Sequence, residues 1–119
     1  MRIAVSSVGD TLGSAVDPRF GRAAQFVIVD TETGEHEVIS NEQSLNAMQG
    51  AGIQAAQTVS RYSAEYVITG HCGPKAFRAL KSAGIKVVLG VEGTVAEAVE
   101  RFKSGDVQPS DGADVAGHW

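Results

Sequence analysis

Short apolar runs that alternate with amphipathic stretches constrain the fold of this sequence more than any other feature. Five runs have the length and the Val and Ile content of strands: residues 2–6, 25–30, 35–40, 66–69 and 85–90. Three other stretches repeat apolar residues every three or four positions, beginning near residues 51, 74 and 94. The predicted order of elements is therefore β, β, β, α, β, α, β, α.

This order predicts an α/β fold with a mixed five-stranded sheet flanked by helices. The polar residues 31–34 predict a hairpin between the second and third strands, and the helices before the fourth and fifth strands predict right-handed crossovers. The last helix has the clearest signals, because Thr94 and Glu97 have the spacing of a capping box and Gly105 ends the pattern. Residues 41–50 have no clear periodicity and are predicted to form a loop.

The length of 119 residues fits one domain. We expect that domain to cover residues 1–104 and a flexible tail to cover residues 105–119, because the tail contains Gly, Pro, Ser and three aspartates without an apolar repeat. His118 and Trp119 are expected to form a frayed terminus. The alternative is that they fold back over a pocket or contact a partner.

Charge and composition exclude several classes of function. The net charge of -4 is unlike the basic excess of nucleic-acid-binding modules, so no nucleic-acid partner is expected. The sequence has no signal-like segment and no run of about 18 apolar residues, which predicts a cytoplasmic protein without a membrane span. A single cysteine excludes an internal disulfide, and the three histidines lack the spacing of a zinc site.

The candidate functional segment, residues 70–75, follows the fourth strand and opens the second helix. It combines the Cys72 thiol, the His71 imidazole and the Lys75 ammonium, and Gly70 and Gly73 would expose backbone N–H groups. A loop between a strand and a helix N-terminus is a common anion-binding position. The alternative is structural: Cys72 would be a small buried hydrophobe and His71 a turn residue.

A second candidate segment lies in the long loop after the first strand. Residues 17–22 contain Arg19 and Arg22, and guanidinium groups suit anions with several acceptor atoms. Alternatively, Phe20 fills the edge of the core and the arginines pair with nearby aspartates. If the crossovers are right-handed, the loops after strands one and four meet at one end of the sheet, and both segments would then line one shared mouth.

Four stretches of the sequence resemble the dinitrogenase iron–molybdenum cofactor biosynthesis family, which includes NifX-like proteins and the C-terminal part of NifB-like proteins. They are residues 2–5, 17–23, 51–53 and 70–76, and the resemblance covers about residues 1–104. The string at residues 16–23 is most similar to the orange protein branch, which is associated with a molybdenum–copper sulfide cluster. The resemblance implies a ribonuclease H-like α/β fold, no nuclease activity, and the binding or carriage of metal–sulfur clusters.

Residues and resemblance together predict a non-catalytic carrier or scaffold for a preassembled anionic metal–sulfide cluster. The cluster is expected to contain molybdenum, with copper as the candidate second metal or iron–sulfur as a related composition, and protein partners are expected to deliver or receive it. The predicted binding residues are Arg19, Arg22, Gly70, His71, Cys72, Gly73 and Lys75, with Cys72, His71 and Met48 as candidate metal ligands. The alternatives are a cysteine-dependent enzyme using Cys72 and His71, a phosphate- or nucleotide-binding protein, and a protein-interaction module.

Overall fold

A computed structural model describes residues 1–41 and 50–114 of the chain. The strands are β1 (Arg2–Ser7), β2 (Gln25–Asp30), β3 (His36–Ser40), β4 (Tyr66–Ile68) and β5 (Lys86–Val88). The helices are α1 (Ala51–Arg61), α2 (Pro74–Ser82) and α3 (Val95–Lys103). The predicted order of these elements is confirmed. Most of the loop predicted at 41–50, the candidate ligand Met48, and both His118 and Trp119 lie outside the described residues.

The five strands form one mixed sheet in the order β3-β2-β1-β4-β5. The central strand β1 pairs antiparallel with β2 and parallel with β4, and β5 continues the parallel half. The β2–β3 hairpin forms the antiparallel half. The predicted mixed five-stranded α/β sheet is therefore confirmed, and the carboxyl ends of β1, β4 and β5 share one edge.

Alternating side chains divide the core between the two faces of the sheet. On β1, Ala4 joins the cluster under α1 and α2, whereas Ile3 and Val5 join the cluster under α3. The first cluster contains both aromatic and small residues, including Phe20 and Phe26 with ring centroids 5.2 Å apart. The second consists mainly of Val and Ile. Helices therefore cover both faces of the sheet.

Local signals account for the ends of the helices. Thr94 Oγ1 accepts a hydrogen bond from the Glu97 amide at 3.1 Å, and Glu97 Oε1 accepts one from the Thr94 amide at 2.9 Å. The predicted capping box of α3 is thus confirmed. After α3, Gly105 has a φ of 77°, a left-handed conformation that glycine adopts without strain. None of the helices within the described ranges is long and apolar enough to cross a membrane.

Residues 105–114, here called the C-terminal segment, contact β5 and the loop after β4. The Ser110 amide donates a hydrogen bond to the Val87 carbonyl oxygen at 2.7 Å, and the half-buried Val107 packs against the cluster under α3. The boundary at residue 104 and the flexibility expected for residues 105–119 stay predictions.

Candidate functional site

The loops that follow β1 and β4 meet through their backbones. Arg19 and His71 form an isolated parallel bridge, in which the His71 amide donates to the Pro18 carbonyl oxygen at 2.8 Å and the Phe20 amide donates to the His71 carbonyl oxygen at 3.2 Å. The predicted meeting of these two loops at one end of the sheet is confirmed. Residues 17–22 and 70–75 are together called the mouth below.

Gly70 allows the two loops to approach so closely. A Cβ atom on Gly70 would lie 2.8 Å from the Pro18 Cα atom and 2.9 Å from the Pro18 carbonyl oxygen, distances that side-chain carbons do not reach. A residue with a side chain would therefore push the loops apart, and the backbone bridge would weaken.

Two buried hydroxyl groups, of Ser6 and Thr69, contact the loop that follows β1. Ser6 Oγ lies 2.7 Å from both the Asp17 carbonyl oxygen and Thr69 Oγ1, and Thr69 Oγ1 lies 3.5 Å from that carbonyl oxygen. Asp17 itself is buried, and its Oδ1 accepts a hydrogen bond from the Arg19 amide at 3.0 Å. Ser6 and Thr69 could not be predicted as part of the site, because a hydroxyl at the end of a strand gives no signal of the loop it will contact.

The Cys72 side chain is fully buried in the cluster under α1 and α2, and its Sγ lies 3.6 Å from the Gly73 carbonyl oxygen. Burial raises the pKa of the Cys72 thiol to about 12, and the negative charge of Asp114 contributes to the shift. Because the thiolate is the form that attacks substrates and binds metals, this thiol is unreactive at neutral pH in this conformation. The structure therefore favours the interpretation of Cys72 as a small buried hydrophobe, and its role as a metal ligand stays a prediction.

His71 and the backbone of Cys72 both contact Asp114. His71 Nδ1 lies 2.7 Å from Asp114 Oδ2, and the Cys72 amide donates to Asp114 Oδ1 at 3.0 Å. Burial by itself would raise the pKa of the Asp114 carboxyl, but the hydrogen bonds from Cys72 and His71, with the charge of His71, lower it overall. Asp114 is therefore ionised at neutral pH. Since a carboxylate only accepts hydrogen bonds, Nδ1 of His71 carries the hydrogen of this contact.

Asp114 could not be predicted from the sequence as part of the mouth either. It lies 43 positions after His71, inside a segment that composition alone assigns to a tail. Three aspartates in that segment gave no indication of which one returns to the mouth.

The two loops of the mouth carry three cationic side chains. Arg19 is exposed on the first loop, Arg22 is half-buried further along it, and Lys75 is exposed in the first turn of α2. Among residues 1–41 and 50–114, no ion pair involves the Arg19 guanidinium or the Lys75 ammonium. The backbone amides of Lys75 and Ala76 have no acceptor within their own helix. An anion at the mouth would thus meet both formal positive charges and N–H donors.

Two grooves between described residues lie away from the mouth. One of about 410 Å³ lies between α2, β5 and residues 109–111, and one of about 330 Å³ lies over the ends of β2 and β3. Neither is lined by Arg19, His71 or Lys75. Within the described part of the chain, no three His, Cys, Asp or Glu side chains converge on a point where they could hold a metal ion.

The sequence matches, over residues 1–105, the model of the family described as dinitrogenase iron-molybdenum cofactor. The chain belongs to this family. An uncharacterized protein of Methanocaldococcus jannaschii is 31% identical over 96 residues, which cover 78% of this chain and 80% of the relative.

Solved structures agree with the family assignment. The apo form of the orange protein from Desulfovibrio gigas superposes with a TM-score of 0.94 at 48% identity, with 96% of each chain covered. A NifB-like protein from Thermotoga, solved by NMR, superposes with a TM-score of 0.84 at 38% identity, with 98% of each chain covered. The family match includes the whole mouth but ends at residue 105, so that Asp114 lies beyond the matched residues.

Proposed function

We propose that this protein binds and carries a preassembled, anionic metal–sulfide cluster at the mouth, and that the cluster contains molybdenum, with copper as the candidate second metal. Family membership and similarity to the orange protein support a carrier role related to the iron–molybdenum cofactor. The observation that carries the proposal is the backbone bridge between Arg19 and His71, because it joins the two segments that hold the cationic and N–H groups.

The available donors suit a cluster that brings its own sulfide ligands. Such a cluster needs charge balance and hydrogen bonds from the protein rather than a full set of metal ligands. Exposed Arg19 and Lys75 offer the charge, with Arg22 in the same loop, and the first turn of α2 offers amides. The absence of a three-ligand metal group among the described residues agrees with this mode of binding. Metal ligation by His71, Cys72 or Met48 would add to it and is not required.

A cysteine-dependent enzyme has weaker support. The pKa of the Cys72 thiol is raised to about 12, whereas a nucleophilic cysteine needs a lowered pKa. In addition, Nδ1 of His71 is engaged by Asp114 rather than by the thiol.

Reconstitution tests the proposal. Apoprotein mixed with tetrathiomolybdate and copper and then desalted should retain a coloured complex at a fixed stoichiometry. Arg19→Ala and Lys75→Ala should each weaken retention by at least about tenfold, since a hydrogen bond to a charged group contributes about 1.5–3 kcal/mol.

Arg101→Ala provides the matched control. It removes the same charge from α3, where Arg101 makes only an exposed ion pair with Asp106 at 3.4 Å, and we expect retention to be unchanged. Equal losses in all three variants would indicate non-specific binding. Full retention in all three would mean that the cluster binds elsewhere.

A further inference from the structure

The Asp114 carboxylate occupies two hydrogen-bond donors of the mouth. Its two oxygens accept hydrogen bonds from the Cys72 backbone amide and from the His71 imidazole, at 3.0 and 2.7 Å. These two groups, called the donor pair below, stand next to the backbone bridge with Arg19. An external anion that accepted hydrogen bonds from these donors would have to displace the Asp114 carboxylate.

The contact between Asp114 and the donor pair is accessible to solvent. The Asp114 side chain is 33% exposed and that of His71 is 42% exposed, so an anion from solution can reach the pair without opening the core. The Asp114 amide also donates a long hydrogen bond of 3.4 Å to the Cys72 carbonyl oxygen. The firmer anchor of the segment is the 2.7 Å hydrogen bond from the Ser110 amide to Val87.

The anchor at Ser110 is separate from the contact of Asp114 with the donor pair. Asp114 lies four residues beyond Ser110, so its departure from the pair does not require the hydrogen bond between Ser110 and Val87 to break. A short connection keeps the effective concentration of the carboxylate at the donor pair high, so Asp114 returns whenever the pair is free.

We propose that Asp114 is a tethered competitor that fills the donor pair in the empty protein and is displaced when the cluster binds. The inference rests on the proposed function and adds a regulatory step to it. Loading then requires an anion that binds the donor pair more tightly than the Asp114 carboxylate does. Unloading is assisted because the carboxylate takes the place of the departing cluster. The competitor lies outside residues 1–105, the part that the family match covers.

The size of the effect follows from the fraction of protein whose donor pair is free. If Asp114 occupies the pair for about nine-tenths of the time, the apparent Kd of the cargo rises about tenfold over its intrinsic value. Removing the carboxylate should lower the apparent Kd by the same factor.

Asp114→Ala tests this, with Asp111→Ala as the matched control. Asp111 is an exposed carboxylate in the same segment, so its removal changes the net charge equally without touching the donor pair. Titration with tetrathiomolybdate should give about tenfold tighter binding for Asp114→Ala than for the wild type, and nearly wild-type binding for Asp111→Ala.

NMR of the amide groups gives a readout that does not depend on affinity. In the wild type, tetrathiomolybdate should shift the amide signals of both Cys72 and Asp114, because the carboxylate leaves as the anion arrives. In Asp114→Ala without ligand, the Cys72 amide should already have shifted.

The outcomes separate the two proposals. If wild-type binding depends on Arg19 but Asp114→Ala and Asp111→Ala bind equally tightly, the competitor is excluded and the proposed function stands. If tetrathiomolybdate binds and leaves the Asp114 signal unmoved, the competitor is also excluded. If no variant binds at all, the proposed function fails, and the competitor fails with it.

Discussion

The two faces of the sheet are built differently. Under α1 and α2, the core contains Cys72 and Phe20 from the loops of the mouth together with small residues such as Ala76. Under α3, it consists mainly of Val and Ile side chains, and the helix is fixed at its start by a side-chain cap. The first face therefore shares residues with the mouth.

Close backbone approach distinguishes the first face further. A Cβ atom on Gly52 in α1 would lie 2.7 Å from the Ala76 Cβ atom in α2, and one on Gly70 would meet the backbone of Pro18. Small residues on this face allow the two helices, and the two loops of the mouth, to lie closer together than larger residues would permit. We therefore expect substitutions on this face to change stability and binding together, and those on the α3 face to change stability alone.

The largest effect is expected for Gly70→Ala. The new methyl group would lie 2.8 Å from the Pro18 Cα atom, so the loops must separate, and we expect a loss of about 3 kcal/mol in the free energy of unfolding. Urea denaturation measures this loss, and retention of tetrathiomolybdate and copper should fall in parallel.

Gly13→Ala is the control for this substitution. It lies in the loop after β1, and its Cβ atom would approach only Thr11 Oγ1, at 3.7 Å. We expect its effect to stay within about 0.5 kcal/mol. If Gly70→Ala is as mild, the close approach does not hold the mouth together.

An intermediate effect is expected for the buried thiol at alkaline pH. The folded state raises the pKa of Cys72 to about 12 from its ordinary value of 9.0, so the folded protein keeps a proton that the unfolded chain releases. The contribution of the Cys72 thiol to the free energy of unfolding is therefore fully present below about pH 9 and is lost as the pH rises toward 12. By pH 11, the wild type should lose about 2 kcal/mol more than Cys72→Ala, which lacks the thiol.

Denaturation curves at several pH values measure this difference. The free energies of unfolding of the wild type and Cys72→Ala, plotted against pH, should diverge only above about pH 9. Parallel profiles would mean that the thiol is accessible in solution, which would strengthen the predicted role of Cys72 as a metal ligand.

The smallest effect is expected on the α3 face. Thr94→Ala removes the hydroxyl that accepts from the Glu97 amide, and loss of such a cap costs about 1 kcal/mol. Thr94→Ser should restore most of it, because the serine hydroxyl makes the same hydrogen bond. Urea denaturation measures both, and cluster retention should stay at the wild-type level. A loss of retention like that of Arg19→Ala would contradict the separation of the two faces.

The elements of the fold could be predicted because their signals are local. Strand β2 follows from the apolar run that begins at Gln25, and the cap of α3 follows from Thr94 and Glu97, three residues apart. The meeting of the two loops could be predicted from the handedness of the crossovers.

The finer features of the site depend on contacts between distant residues. The sequence around Cys72 favours a binding site and leaves a buried hydrophobe as the alternative, and packing against α1 and α2 decides its environment. Asp114 and Thr69 are common residue types whose partners lie 42 and 52 positions away. No periodicity connects residues so far apart.

The bridge between Arg19 and His71 is made by main-chain atoms alone. Any residue except proline at position 71 can supply its amide, and the side chain at position 19 takes no part in the hydrogen bonds of the bridge. The side chains at positions 19 and 71 can therefore change in evolution while the main-chain hydrogen bonds of the bridge are kept. Exchanges at these two positions would adapt the same scaffold to cargo of different charge or size.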